Sequence, residues 1–333
     1  MKRQASILLV AVLLPVFAFA QSPALLEQAK KEGEVVIYTT TTVRDFEFVI
    51  KAAKEKYPFL TVRHVYLSSA RQAARVMQEH RAGKLQADVL GNSLEALLYF
   101  KEQKVIGKIE SSEAKQMLAV AVDPEGYWLG TTTDLLVTAF NTKDLSKPKA
   151  PKSYDDYLQP GLKGLMAINS GVPYALTGMM GLRGEEQGIA YMKRLSQQNV
   201  RPVEGFSHMV NLLAAGEYPL AIFTQVSKAE AMRERGAPVD WLPGFPTFAT
   251  LSAISVAANP PHPAAARLLV DFYLSAEGQR ALVAAGKIPL RRGIKSPSKG
   301  IDELLEGGKL HVIKPEGDYS RYMKLYREFV GGK

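Results

Sequence analysis

Cysteine is absent from all 333 residues. That removes disulfides, thiolate metal sites, thiol nucleophiles and a lipid-modified N-terminal cysteine in one stroke. Histidine is scarce: His64, His80, His208, His262 and His311 are the five present, and none stands at a ligand spacing such as His-x-x-x-His. The chain has no Gly-x-Ser-x-Gly elbow, no His-Glu-x-x-His helix and no glycine-rich phosphate loop. Hydrolase, metalloprotease and nucleotide chemistry therefore lack their usual residues. Asp134, Asp155 and Asp156 are isolated acids, not a pair poised for proton transfer. Long apolar runs are missing too, apart from Ile7 to Phe19, which Pro15 interrupts; a membrane span needs about 20 such residues. No cofactor, metal site or enzymatic reaction follows from these residues.

That one apolar run belongs to a three-part leader. Lys2 and Arg3 give a basic start, and Ala18-Phe19-Ala20 is a small-x-small cleavage site before Gln21. Residues 1–20 read as a signal peptide, and the remainder as a protein exported to a bacterial periplasm; an uncleaved anchor is the alternative. A mature chain of roughly 310 residues favours two lobes over one core. The formal charge is +9, with Lys2 and Arg3 in the leader. Basic and acidic residues are interspersed, which excludes a nucleic-acid stripe and leaves a mild preference for anionic solutes.

Strand, polar turn and helix then alternate. Val35–Tyr38 is an apolar strand ending in the four hydroxyls Thr39 to Thr42, and Asp45–Tyr57 has helix spacing. Thr61–Leu67 is a strand followed by Ser68-Ser69 and the helix Ala70–Ala82. Asp88-Val-Leu leads through Gly91-Asn92-Ser93 into a third helix. Such alternation predicts parallel strands with crossover helices. Further on, Leu135–Phe140, Leu165–Ile168, Leu220–Phe223 and Ala253–Ala257 read as strands. Glu185–Gln197, Ala264–Leu274 and Tyr319–Val330 read as helices, and Tyr154–Leu158 as a short amphipathic segment.

The chain resembles the periplasmic substrate-binding proteins of ABC importers, in particular the ferric-iron-binding branch of extracellular solute-binding protein family 1. Five stretches carry the resemblance in order. They are Val35-Val-Ile-Tyr-Thr, Ala87-Asp88-Val-Leu, Asn169-Ser170-Gly171, Leu213-Ala-Ala-Gly216-Glu-Tyr-Pro-Leu-Ala, and Pro260-Pro-His-Pro263 through Ser275-Ala-Glu277-Gly-Gln279. The resemblance implies an α/β, two-lobed type II periplasmic-binding-protein fold. Each lobe would be a mixed, mostly parallel sheet flanked by helices, with a ligand cleft between lobes that close by hinging. The expected limits are 21–133 plus 252–280 for lobe 1, 134–251 for lobe 2, and 281–333 for C-terminal helices packed on both.

The departures bear on the ligand. Iron-binding members use two adjacent tyrosines, and the matching positions here are Gln225 and Val226. The histidine and glutamate of that pattern fall at about Thr42 and Ser93. Fe(III) is a hard ion that wants anionic oxygen ligands, which these replacements do not supply. The anion loop of the pattern is kept as Ser170 and Gly171, where a strand end and helix start would aim backbone N–H groups at the cleft.

Candidate ligand contacts are therefore the residues at the carboxyl ends of strands, where open α/β sheets bind ligands. They are Thr39, Thr40 and Thr41; Ser68, Ser69 and Arg71, the last able to grip an acid with its planar fork; Asn92 and Ser93; Ser170, Gly171 and Tyr174; Ser207; and Thr224 and Gln225. Capping, solvation or core packing is the competing role for each. The function expected is capture of a small anionic or zwitterionic solute (phosphonate, sugar phosphate or carboxylate) by a monomer that delivers it to an ABC permease in the inner membrane. A ferric-iron or ferric-chelate binder and a ligand-presenting sensor for a membrane kinase or chemoreceptor are the alternatives.

Overall fold

The computed structural model describes residues 22–314 and 319–331, so the expected leader lies outside the described residues. Helix α1 (Pro23–Glu32) opens with the Leu25 amide donating to the Ser22 hydroxyl and stops at Gly33, whose φ of 70° suits a residue without Cβ. Three strand–helix units follow: β1 (Glu34–Thr39) with α2 (Val43–Lys56), β2 (Thr61–Tyr66) with α3 (Ser69–Arg81), and β3 (Val89–Ser93) with α4 (Leu94–Glu102). β1 lies between β2 and β3 and is parallel to both. Val35 to Tyr38 are buried on both faces, as expected of a central parallel strand covered by helices.

The short β4 (Ile106–Gly107) precedes β5 (Leu129–Asn141), the longest strand. A second α/β set comprises β6 (Met166–Asn169), α5 (Tyr174–Arg183), α6 (Glu185–Ser196), β7 (Arg201–Val203), α7 (Phe206–Ala214), β8 (Leu220–Gln225), α8 (Val226–Glu234) and β9 (Val239–Leu242). The chain returns along β10 (Thr247–Ala257), then adds α9 (Pro263–Leu274), α10 (Ala276–Ala284), β11 (Ile288–Pro289), α11 (Lys299–Gly307), β12 (Leu310–Val312) and α12 (Tyr319–Val330). The strand order along the sheet is β2-β1-β3-β10-β5-β8-β6-β7. β10 runs antiparallel to β3 and β5, and β5 antiparallel to β8, while β6 is parallel to β7 and β8.

One core gathers Val35, Ile37, Phe46, Leu90, Phe100, Trp128, Ile254 and Leu268. A second core lies on the other side of the crossing strands and covers both faces of its sheet. Phe140, Ile168, Ile222 and Phe248 pack on one face, and Ala139, Ala167, Ala221 and Ala249 on the other. The alternation follows the two-residue period of a strand. β5 belongs to the first core at Leu129 and to the second from Leu135; β10 passes from Phe248 and Ala249 in the second to Leu251, Ala253 and Ile254 in the first. The protein is two-lobed, and these two hydrogen-bonded strands join the lobes.

Three hydroxyls zip the crossing together. Thr131 donates to the Ser252 carbonyl, Thr133 to the Thr250 carbonyl and Thr250 to the Asp134 carbonyl, at 3.1–3.2 Å. This explains two differences from the sequence expectations. β5 begins at Leu129 instead of Leu135, and β10 at Thr247 instead of Ala253, because threonine-rich segments reach their strand conformation through pairing. Tyr154–Leu158 contains a 3₁₀ turn, Asp155–Leu158. At the end of β8, Phe223 adopts φ 51°, a conformation costing roughly 1–2 kcal/mol for a residue with Cβ. Its ring is held by stacking with Tyr154 and Phe248, centroids 5.2 and 5.9 Å away.

Candidate functional site

Two cavities adjoin the crossing strands. One, of about 120 Å³, is walled by Thr39, Thr40, Thr41, Asn92, Thr132, Ser252 and Tyr273. The other, of about 410 Å³, is walled by Asp134, Ser207, Asn211, Ser227, Lys228 and Arg235. Lys287 lines both. The first is a hydroxyl pocket on the lobe 1 side, and the second a mainly cationic pocket on the lobe 2 side.

Local structure sets the hydroxyl pocket. The Thr41 amide donates to the Thr39 hydroxyl at 2.9 Å, which turns the chain sharply as β1 ends. Thr42 accepts the Asp45 amide at 3.2 Å and caps α2. Thr41 also bonds the Tyr273 hydroxyl, and burial pushes that phenol up to about 12. Beneath the turn, His64 stacks on Phe46 at 4.1 Å. Burial lowers the His64 pKa, against a smaller opposing effect of its bond to the Thr41 backbone. On the next strand, Asn92 is buried; its Oδ1 accepts from the Ser69 hydroxyl at 2.9 Å and the Ser93 amide at 2.7 Å, and its amide group donates to Gln72. Gly91 lets these strands approach closely: a Cβ there would lie 3.3 Å from the Thr39 side chain.

In the cationic pocket, Lys228, Ala231, Met232 and Arg235 recur at helical spacing and share one face of α8 and its end. Asp134, on β5, accepts the Leu135 amide at 3.0 Å and both the amide and hydroxyl of Ser227. Burial raises the Asp134 pKa, opposed by those hydrogen bonds and by Lys228. Three cations thus share a pocket with one carboxyl whose charge burial disfavours.

Of the residues named from sequence, Thr39, Thr40, Thr41 and Asn92 wall the first pocket and Ser207 the second. Ser69 reaches the site only through Asn92. Ser68 and Ser93 stand at the N-caps of α3 and α4, and Arg71 is exposed on α3. The expected free N–H groups at Ser170 and Gly171 are a correction: the first donates to the Val203 carbonyl at 3.0 Å and the second to Asn169 Oδ1 at 2.8 Å. Asn169 Oδ1 also accepts the Gly205 amide, tying two loops together and using those donors internally. The N-cap of α5 is Pro173, not Ser170, and Tyr174 stacks on Phe206 at 6.5 Å. Thr224 is a second correction, since it is fully buried in the strand, while Gln225 stands half-buried at the N-cap of α8. Sequence reading missed Thr131–Asp134, Asn211, Ser227, Lys228, Arg235, Ser252 and Lys287; the run Thr131-Thr-Thr-Asp134 repeats the polar signature of Thr39–Thr42 and was the available signal.

The model of the bacterial extracellular solute-binding proteins matches residues 88–316. The chain belongs to that family. Its general function is to bind a small solute outside the cytoplasm and work with an ABC permease, and it is a binding protein, not an enzyme. Solved structures share the fold at low identity. Iron-bound HitA from Pseudomonas aeruginosa has a TM-score of 0.73 and 20% identity, over 89% of this chain and 99% of that one. AfuA from Actinobacillus pleuropneumoniae, with exogenous fructose-6-phosphate bound, has a TM-score of 0.69 and 23% identity, over 90% and 99%. The Trichodesmium IdiA (FutA) protein in complex with iron and citrate has a TM-score of 0.73 and 19% identity, over 90% and 98%. Among the described residues of this solute-binding protein, no group of three or more His, Asp or Glu side chains is placed to hold a metal ion. No helix among them is long and apolar enough to cross a membrane.

Proposed function

We propose that this solute-binding protein captures a small organic anion in the cleft formed by the two pockets, and delivers it to an importer. The observation that carries the reading is the lining of the larger pocket by Lys228, Arg235 and Lys287 against the single acid Asp134. An acid group placed there leaves the rest of the solute to the threonines, Asn92 and Ser252 of the smaller pocket. That polarity favours a sugar phosphate, a phosphonate or a hydroxycarboxylate. The lobes are taken as residues 21–133 with 252–280, and 134–251, with the C-terminal segment packed on both. A ligand contacting both lobes stabilises the closed state.

The ferric alternative survives in one form. A ferric–citrate chelate brings its own oxygen ligands and negative charge, and the Trichodesmium structure contains both components. Bare iron is disfavoured, because the walls of these two pockets carry one tyrosine, Tyr273, and one carboxyl, Asp134, too few anionic oxygens for Fe(III).

A thermal-shift screen tests the reading, using sugar phosphates, phosphonates, hydroxycarboxylates, their neutral counterparts and ferric citrate. Saturating ligand stabilises by about 2.7 kcal/mol at a hundredfold over Kd. The expected result is a shift with an anion, reduced at least tenfold in affinity by the double variant Lys228→Gln/Arg235→Gln. Shifts with neutral sugars alone contradict it.

A further inference from the structure

Lys287 is the charged side chain of the hydroxyl pocket and one of the three cations of the larger pocket. Its ammonium does not face the cleft unpaired: Nζ lies 2.8 Å from Asp45 Oδ2. Asp45 sits in the first turn of α2, just beyond the Thr39–Thr42 turn, with its own amide fixed on Thr42. The carboxylate is therefore held beside the ligand loop by its helix, while Lys287 comes from the turn before β11. The Lys287 and Asp45 side chains are 35% and 26% exposed, so an incoming solute can reach the pair.

We infer that Asp45 is a built-in stand-in for the ligand's acid group: it occupies Lys287 in the unliganded cleft, and an incoming anion competes with it for that ammonium. This rests on the anion-binding reading above. The exchange needs no proton transfer, only a shift of Nζ from a carboxylate to a ligand oxygen. The device selects for charge. A neutral solute cannot displace Asp45, and a dianion does so better than a monoanion.

The sign of the Asp45→Asn effect separates this from a structural ion pair. Removing the carboxylate that the anion must displace from Lys287 tightens binding by about threefold to tenfold, the strength of one ion pair at a water-like dielectric constant. Lys287→Gln weakens it by about tenfold or more. Calorimetric titration of the purified protein with inorganic phosphate, phosphonoacetate, glucose 6-phosphate and citrate reads both. Asp45→Glu, which keeps the charge, gains less than Asp45→Asn, and Asp45→Asn gives no gain in a Lys287→Gln background. Equal or weaker binding of the wild-type ligand by Asp45→Asn overturns the inference and leaves the anion reading intact. Failure of every anion to bind the wild type overturns both.

Discussion

Replacing Thr224 by valine should stabilise the protein. The side chain is fully buried, and its hydroxyl has no hydrogen-bond partner among the described residues. Burying an unpaired hydroxyl costs about 1–3 kcal/mol. Valine keeps the β-branched shape, so strand geometry and packing volume are nearly retained. The expected gain is about 1 kcal/mol, which raises Tm by about 2–4 °C for a domain of 150–250 residues. Urea melts followed by circular dichroism measure it, with the midpoint rising at constant slope. The same variant also tests the placement of Thr224 away from the ligand. A loss of about 1 kcal/mol or more would show that the hydroxyl is bonded in solution, and a loss of ligand affinity would show that it reaches the cleft.

Two further outcomes concern stability. Asp88 is fully buried and accepts the Val36 amide at 2.7 Å and the His262 amide at 2.6 Å, with His262 Nδ1 at 2.9 Å. Asp88→Asn turns an amide group toward these donors and should cost about 3 kcal/mol in urea melts; an unchanged midpoint refutes that. Burial lowers the pKa of His64 and His311. Below the unfolded value of about 6.5, the unfolded chain then binds more protons, so stability falls as pH drops through that window. The urea midpoint should be lower at about pH 5.5 than at about pH 7.5, with part of the difference lost in His64→Gln/His311→Gln. A difference that the double variant leaves intact contradicts the assignment.

Apolar strands with helix-spaced neighbours made much of the fold legible. Val35–Tyr38 and Leu220–Phe223 are buried runs that announce themselves. The extent of the crossing strands was less legible because Thr131–Asp134 contains no apolar residue and is held by partners more than a hundred residues away. The site divided in the same manner. Thr39–Thr41 and Asn92 follow their strands directly, so position reveals them. Lys228 lies on a helix with no strong apolar pattern and Arg235 at its C-cap, and Lys287 lies in a turn whose approach to Asp45 is a tertiary fact. Ser170 and Gly171 misled because sequence cannot show that Asn169 already holds the Gly171 amide.

A crystal structure of the protein with its tightest-binding anion tests the central claim most directly. The account predicts the acid group among Lys228, Arg235 and Lys287, with the remainder of the solute toward Thr39–Thr41. An acid group bound instead at the Ser170–Gly171 loop, or iron held by tyrosine oxygens, would contradict it.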